Sequence, residues 1–87
     1  MAYVVVERTF EPPLTEEEHM ARSARLFPCL EPGRIRWICS YVSTDRRHGV
    51  CEFEAPDAES VRIAHRTAGV PFVRVWTATR FAGQPAG

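Results

Sequence analysis

Two helix signals, set among strand-like runs, constrain what this chain can fold into more than any other feature. Thr15-Glu16-Glu17-Glu18 is a capping box. In it the threonine oxygen accepts an early amide, Glu18 reaches back to the cap, and the acids complement the helix dipole. The helix it starts follows the stop at Glu11-Pro12-Pro13, carries Met20, Ala24 and Phe27 at helical spacing with Ala21 flanking, and ends at Pro28. The second helix is capped by Asp57 and runs to Ala68; Gly69 sits where a left-handed C′ residue belongs, with Pro71 beyond.

Four strand-like segments surround these helices. Residues 2–10 are rich in Val, Tyr, Thr and Phe, and residues 34–43 and 50–55 form a hairpin across the polar turn 44–49. Residues 72–81 supply the last strand. The order β-α-β-β-α-β is the split βαβ pattern, an α+β, ferredoxin-like fold: a four-stranded antiparallel sheet with two helices on one face. A single domain is expected over residues 1–82, with a flexible C-terminal tail at 83–87.

Side-chain alternation then assigns faces. Val4 and Val6 of the first strand, with Cys51 and Phe53 of the third, suit the helix-covered face. Tyr3, Val5, Glu7 and Thr9, with Val50, Glu52 and Glu54, fall on the open one. The second strand does not discriminate: Trp37, Cys39 and Tyr41 share one side and Ile38, Ser40 and Val42 the other. The fourth opposes Phe72, Arg74 and Trp76 to Val73, Val75 and Thr77. An open face with Tyr3, Val5, Trp37 and Trp76 is too apolar for water, so a homodimer packed sheet to sheet is expected, its interface around Trp37 or Trp76.

Composition excludes several function classes. The chain has 87 residues, with eleven Lys+Arg, all arginine, against eleven Asp+Glu. Zero net charge argues against a nucleic-acid surface, and no run is long enough for a membrane span. No signal peptide is read at the start, and Cys29, Cys39 and Cys51 match no disulfide scaffold or zinc motif, so the expected location is cytoplasmic with reduced thiols. No phosphate-binding glycine loop, H-E-x-x-H, nucleophile elbow or C-x-x-C is present.

The polar residues that remain define the functional question. Glu7, Glu52 and Glu54 near a dimer seam are either solvated or paired with arginines such as Arg8, Arg36 or Arg74, or they hold a cation. On the second helix Val61, Ala64, His65 and Ala68 form one stripe, which puts His65 on the buried side with a polar partner. His48, between Arg47 and Gly49, is an exposed turn residue, and His19 pairs with no second histidine.

The motifs V-E-R at 6–8, Trp37, S-Y-V at 40–42, C-x-F-x-A-P at 51–56 and A-H-R-x-A-G-x-P at 64–71 occur in order across nearly the whole chain. Together they resemble a family of small bacterial proteins classed as a domain of unknown function, which includes a nickel-binding, homodimeric protein of ferredoxin-like fold. Where that family usually has tyrosine, this chain has Phe53. The resemblance implies a homodimeric metal-binding protein taking Ni²⁺ or another divalent transition metal. Glu7, Glu54 and His65 are the first candidate ligands, with Tyr41, Cys51 and His48 as lesser ones. His65 points into the covered layer while Glu7 and Glu54 point away, so one mononuclear site within a subunit does not readily use all three. The alternative is a cofactorless enzyme, isomerase or monooxygenase-like, of the dimeric α/β-barrel type. In it His65 is the general base, oriented by Tyr41 or Cys51. A third reading is a regulatory or structural dimer with no small ligand.

Overall fold

A computed structural model describes residues 1–84. Of the expected tail 83–87, residues 85–87 lie outside the described residues. The elements are β1 (Ala2–Thr9), α1 (Glu16–Leu30), β2 (Arg36–Val42), β3 (His48–Ala55), α2 (Ala58–Ala68) and β4 (Arg74–Ala78). The sheet is antiparallel in the order β2-β3-β1-β4, the ferredoxin-like arrangement the sequence predicts. The core lies between its covered face and the two helices. Val4, Val6, Phe53 and Val75 from the sheet meet Leu26 and Leu30 of α1 and Val61 and Ala64 of α2 there. No helix among the described residues is long and apolar enough to cross a membrane.

The helix signals act locally. Thr15 Oγ1 accepts from the Glu18 amide at 3.1 Å, but the Glu18 carboxylate does not complete the capping box; it takes the Arg22 Nε–H at 3.1 Å instead. Asp57 Oδ1 accepts from both the amide and the hydroxyl of Ser60 at 2.7 Å. At the other end Gly69 has φ of 69°, which a side chain would strain, and Val70 N–H returns to His65 O at 3.0 Å. Replacing Asp57 by Ala removes the cap and should cost about 0.5–2 kcal/mol in a urea melt.

Several boundaries and two faces differ from expectation, and β2 is Arg36–Val42 rather than 34–43. Helix α1 continues past Pro28 to Leu30. The carbonyl that Pro28 frees belongs to Ala24, on the exposed side, where water can meet it. Strand β3 begins at His48 rather than Val50, because Gly49 joins the ladder opposite Arg8 and Val42. A Cβ there would stand 3.0 Å from the Phe10 ring. Strand β4 is only Arg74–Ala78, and Phe72, ahead of it, turns inward against His65.

The α1 stripe is also displaced. Met20 and Phe27 are 65% and 56% exposed, while Leu26 and Leu30 are buried and His19, Arg22 and Ser23 are part-buried. The side of α1 toward the sheet is therefore polar in its first turns, which defeats a reading by apolar period. In β2 a bulge between Trp37 and Cys39 inserts Ile38 as an extra residue. Trp37 pairs with Phe53 and lies on the covered face, whereas Cys39 pairs with Glu52 and Tyr41 with Val50 on the open one. Trp37 thus leaves the face on which a dimer seam was expected and packs on Phe27 and Phe53 instead.

Candidate functional sites on the two faces of the sheet

The two sides of the sheet have opposite electrostatic character. On the open face two of the three predicted acids, Glu7 and Glu54, each have an arginine, and Glu52 does not. Glu7 accepts from Arg74 Nε and Nη2 at 2.9 and 3.1 Å and from Trp76 Nε1 at 2.7 Å. The Arg74 guanidinium first, then the Trp76 indole, hold its carboxyl below the usual range. Glu54 accepts from Arg36 through Nε at 2.8 Å and also through Nη2.

Register keeps these two pairs apart. Glu7 stands opposite Val50 and Glu54 opposite Tyr3, four residues along the ladder. At about 3.3 Å per residue their backbones are on the order of 13 Å apart, so the structure does not bring Glu7 and Glu54 to one ion.

What the open face does assemble is a group missed in the sequence. Cys39 Sγ lies 3.5 Å from Glu52 Oε2. Tyr41 adjoins them: its hydrogen bond with Cys39, then the electrostatic influence of Cys39 and Glu52, push its phenol up. The bulge at Ile38 creates this group, since without it Cys39 would stay on the side of Trp37. His48 is exposed on the same face at the hairpin end, opposite Thr9.

The covered face collects His65, Cys51 and Arg8. Arg8 follows Val4 and Val6 in the β1 alternation and is only 8% exposed. It donates from Nη2 to His65 Nε2 at 2.8 Å, from Nε to Cys51 Sγ at 3.3 Å and from Nη1 to Pro71 O at 3.2 Å. His65 is fully buried, as its stripe predicts, and its Nδ1 lies 2.8 Å from Val61 O. Arginine can only donate, so Nε2 carries the lone pair and Nδ1 the proton. Burial first, then the Arg8 charge, push the imidazole down to about 4. Beyond Cys51, Ser40 Oγ donates to its sulfur at 3.0 Å and accepts from Trp37 Nε1 at 2.8 Å.

Both nitrogens of His65 are occupied, and Tyr41 lies across the sheet from it. The general-base arrangement of a cofactorless enzyme is not assembled in this protomer. A cation beside His65 and Cys51 would face the Arg8 charge. Among the described residues no group of three or more His, Cys, Asp or Glu side chains is gathered to hold a metal ion.

Comparison with known proteins gives these observations their family. The profile of the nickel responsive protein SCO4226-like family matches residues 3–77. The chain belongs to that family. The crystal structure of SCO4226 from Streptomyces coelicolor A3(2) superposes with a TM-score of 0.82 at 15% identity, covering 93% of this chain and 100% of that one. At that identity the likeness to SCO4226 carries the fold. No curated protein matches the chain.

Proposed function

We propose that this member of the SCO4226-like family is a cytoplasmic homodimer that binds Ni²⁺ or a similar divalent transition metal, with Cys39 and Glu52 of each protomer forming half of the site. One observation carries the reading: the 3.5 Å between Cys39 Sγ and Glu52 Oε2. Sulfur and oxygen ligands bound to one ion at about 2.3 and 2.0–2.2 Å stand roughly 3–3.6 Å apart, so the spacing of the pair, now bridged by the thiol proton, matches that of two ligands on one cation once that proton is lost. A mixed thiolate and carboxylate set suits a late first-row ion, and copper would compete with nickel.

Two ligands are too few, and a second copy supplies the others. The open face exposes Tyr41 (62%), Val50 and Trp76 (42%) beside the pair, an apolar patch suited to a two-fold contact. Stacking two such faces would offer two thiols and two carboxylates, with the Tyr41 phenols alongside. Glu7 and Glu54 could join only by exchanging an arginine for the ion, and His48 only from the rim. His65 and Cys51, under Arg8, are the least suited of the sequence candidates. A bound metal would supply the Lewis acid of such a site, and the protein's own part would be to hold the four donors and exclude water with the surrounding aromatics.

The test is equilibrium dialysis against Ni²⁺ alongside light scattering. A dimer should bind one ion per two chains, and Cys39→Ser or Glu52→Gln should each weaken binding by about tenfold or more. The Glu7→Gln, Glu54→Gln double variant should bind as the parent does. A monomer at micromolar concentration, or unchanged Ni²⁺ binding in Cys39→Ser, would reject the reading.

A further inference from the structure

We infer that the cavity between α1 and the covered face of the sheet is a binding site for a small organic carboxylate, clamped by Arg8 and Arg22. The inference is independent of the metal reading, which concerns the opposite face.

Charge is the first observation. Every arginine in an ion pair faces solvent at least in part, whereas Arg8, in no ion pair, is the one arginine among the described residues that is buried. No carboxylate among the described residues lies within ion-pair distance of it. The three acceptors that meet it, a sulfur, an imidazole and a carbonyl, are dipoles and not a formal counter-charge. A guanidinium withdrawn from water in this way is strongly favoured by an anion beside it. Two of its five N–H groups are left after the three bonds are counted.

The second observation is independent of the first. Arg22, on the inward side of α1, lines the same cavity as Arg8, and its Nη1 is buried with no hydrogen-bond partner. Glu18 engages only its Nε, and the guanidinium lies over the Phe10 ring, 5.2 Å from its centroid. Such orphaned donors are rare in folded proteins. The cavity has a volume of about 40 Å³, and no acidic residue lines it. By the same kind of volume a water needs about 10–15 Å³, so there is room for about three such groups, the heavy-atom count of a carboxylate.

The walls say what the rest of the ligand is. Phe10, Leu14, Leu26 and Trp37 give the cavity an apolar surround, and the Trp37–Ser40–Cys51 hydrogen bonds fix its floor. It adjoins a larger groove of about 670 Å³ that shares Leu14, His19, Trp37, Ser40 and Val42 with it. The rest of that groove is polar, through Glu16, Ser43, Thr44 and Arg46, so the apolar side of the opening is at Leu14 and Trp37. A carboxylate head in the cavity, bidentate to guanidinium, therefore leaves a compact apolar or aromatic body against Trp37.

The two tryptophans make the test direct. Trp37 donates its indole N–H inside the cavity wall, whereas Trp76 donates to Glu7 on the other side of the sheet. Titration with sodium benzoate, followed by the indole N–H signals in ¹H–¹⁵N spectra, should move Trp37 saturably and leave Trp76 in place. Benzamide, the neutral isostere, and inorganic phosphate should not reproduce it. Arg22→Met should weaken benzoate on the order of tenfold or more, as expected for losing a charged hydrogen-bond donor. Arg8→Met risks the fold, so Ser23→Leu, which fills the cavity from α1, is the second variant and should abolish the Trp37 shift. No saturable Trp37 shift with benzoate or acetate, equal binding in Arg22→Met, or equal binding of phosphate would each overturn the inference.

Discussion

Between pH 6.5 and about pH 4 the protein is expected to lose about 3 kcal/mol of stability through His65 alone. The cause is the hydrogen bonding of the ring. Nδ1 donates to Val61 O and Nε2 accepts from Arg8 Nη2, so a second proton would set donor against donor and cation against cation in a site without solvent. The native imidazole is held at about 4, and the unfolded one titrates near its ordinary 6.5. Between those values the unfolded chain binds more protons, so stability falls as pH falls. It levels off about one pH unit above 6.5, and the contribution is fully lost about one unit below 4.

The carboxylates with depressed values, Glu7, Asp45 and Asp57, start from 4.5 or lower and act only beneath that. Urea melts at half-unit steps should therefore show a slope approaching 1.4 kcal/mol per pH unit between 6 and 5. His65→Gln, whose side-chain oxygen can still accept from Arg8, should flatten it. A parent protein with no slope above pH 4.5 would mean that the imidazole is not held neutral by Arg8 and Val61.

The fold was legible because its boundaries rest on short-range chemistry. Thr15, Asp57 and Gly69 each act within one helical turn, and the capping geometry follows from the residue types. His65 was legible for a similar reason, since α2 has a clean apolar side. What failed depends on residues that the sequence does not place next to each other. The Ile38 bulge is set by pairing with β3, and one inserted residue reverses every later side chain of β2. Cys39 and Glu52 therefore meet while Trp37 turns away.

The placement of the acids depends on register. Sharing a face suggested that Glu7 and Glu54 are neighbours, but antiparallel register sends one to each end of the β1–β3 ladder. The same register delivers Arg74 to Glu7 and Arg36 to Glu54. Of the two readings of these acids, arginine pairing describes the protomer.

Arg8 was read as a partner for the open-face acids, whereas it lies on the covered face against His65, Cys51 and Pro71. It continues the Val4, Val6 alternation into the core, and an arginine in phase with buried valines is itself a signal of an interior polar site. Its counterpart on α1 is the displaced apolar stripe. His19, Arg22 and Ser23 occupy the side that a simple amphipathic helix would give to leucine, because that side roofs the cavity. A local departure from the expected pattern on two elements that face each other marks the place where close packing gives way to a cavity.

Phe53→Ala is expected to be the most damaging single truncation, at about 3–5 kcal/mol. Phe53 is fully buried at the centre of β3 and lies opposite Val4 and Trp37 in the ladders. Its ring is 6.2 Å from that of Trp37 in a stacked arrangement and 5.6 Å from His65 edge-on. Removing it takes away burial from both helices' side of the core and leaves a hole bounded by the fixed His65–Arg8 pair, which cannot collapse inward without breaking its own hydrogen bonds. For a domain of this size each kcal/mol is worth about 4–8 °C, so Tm should fall by roughly 12–40 °C. Phe27→Ala is the control: Phe27 also touches Trp37, at 5.5 Å, but is more than half exposed, and should cost less than half as much. Urea melts of the two variants at pH 7.5, above the His65 window, isolate the packing effect. Equal losses would mean that Trp37 is held from the helix side rather than by Phe53, and that the core is not centred on the sheet.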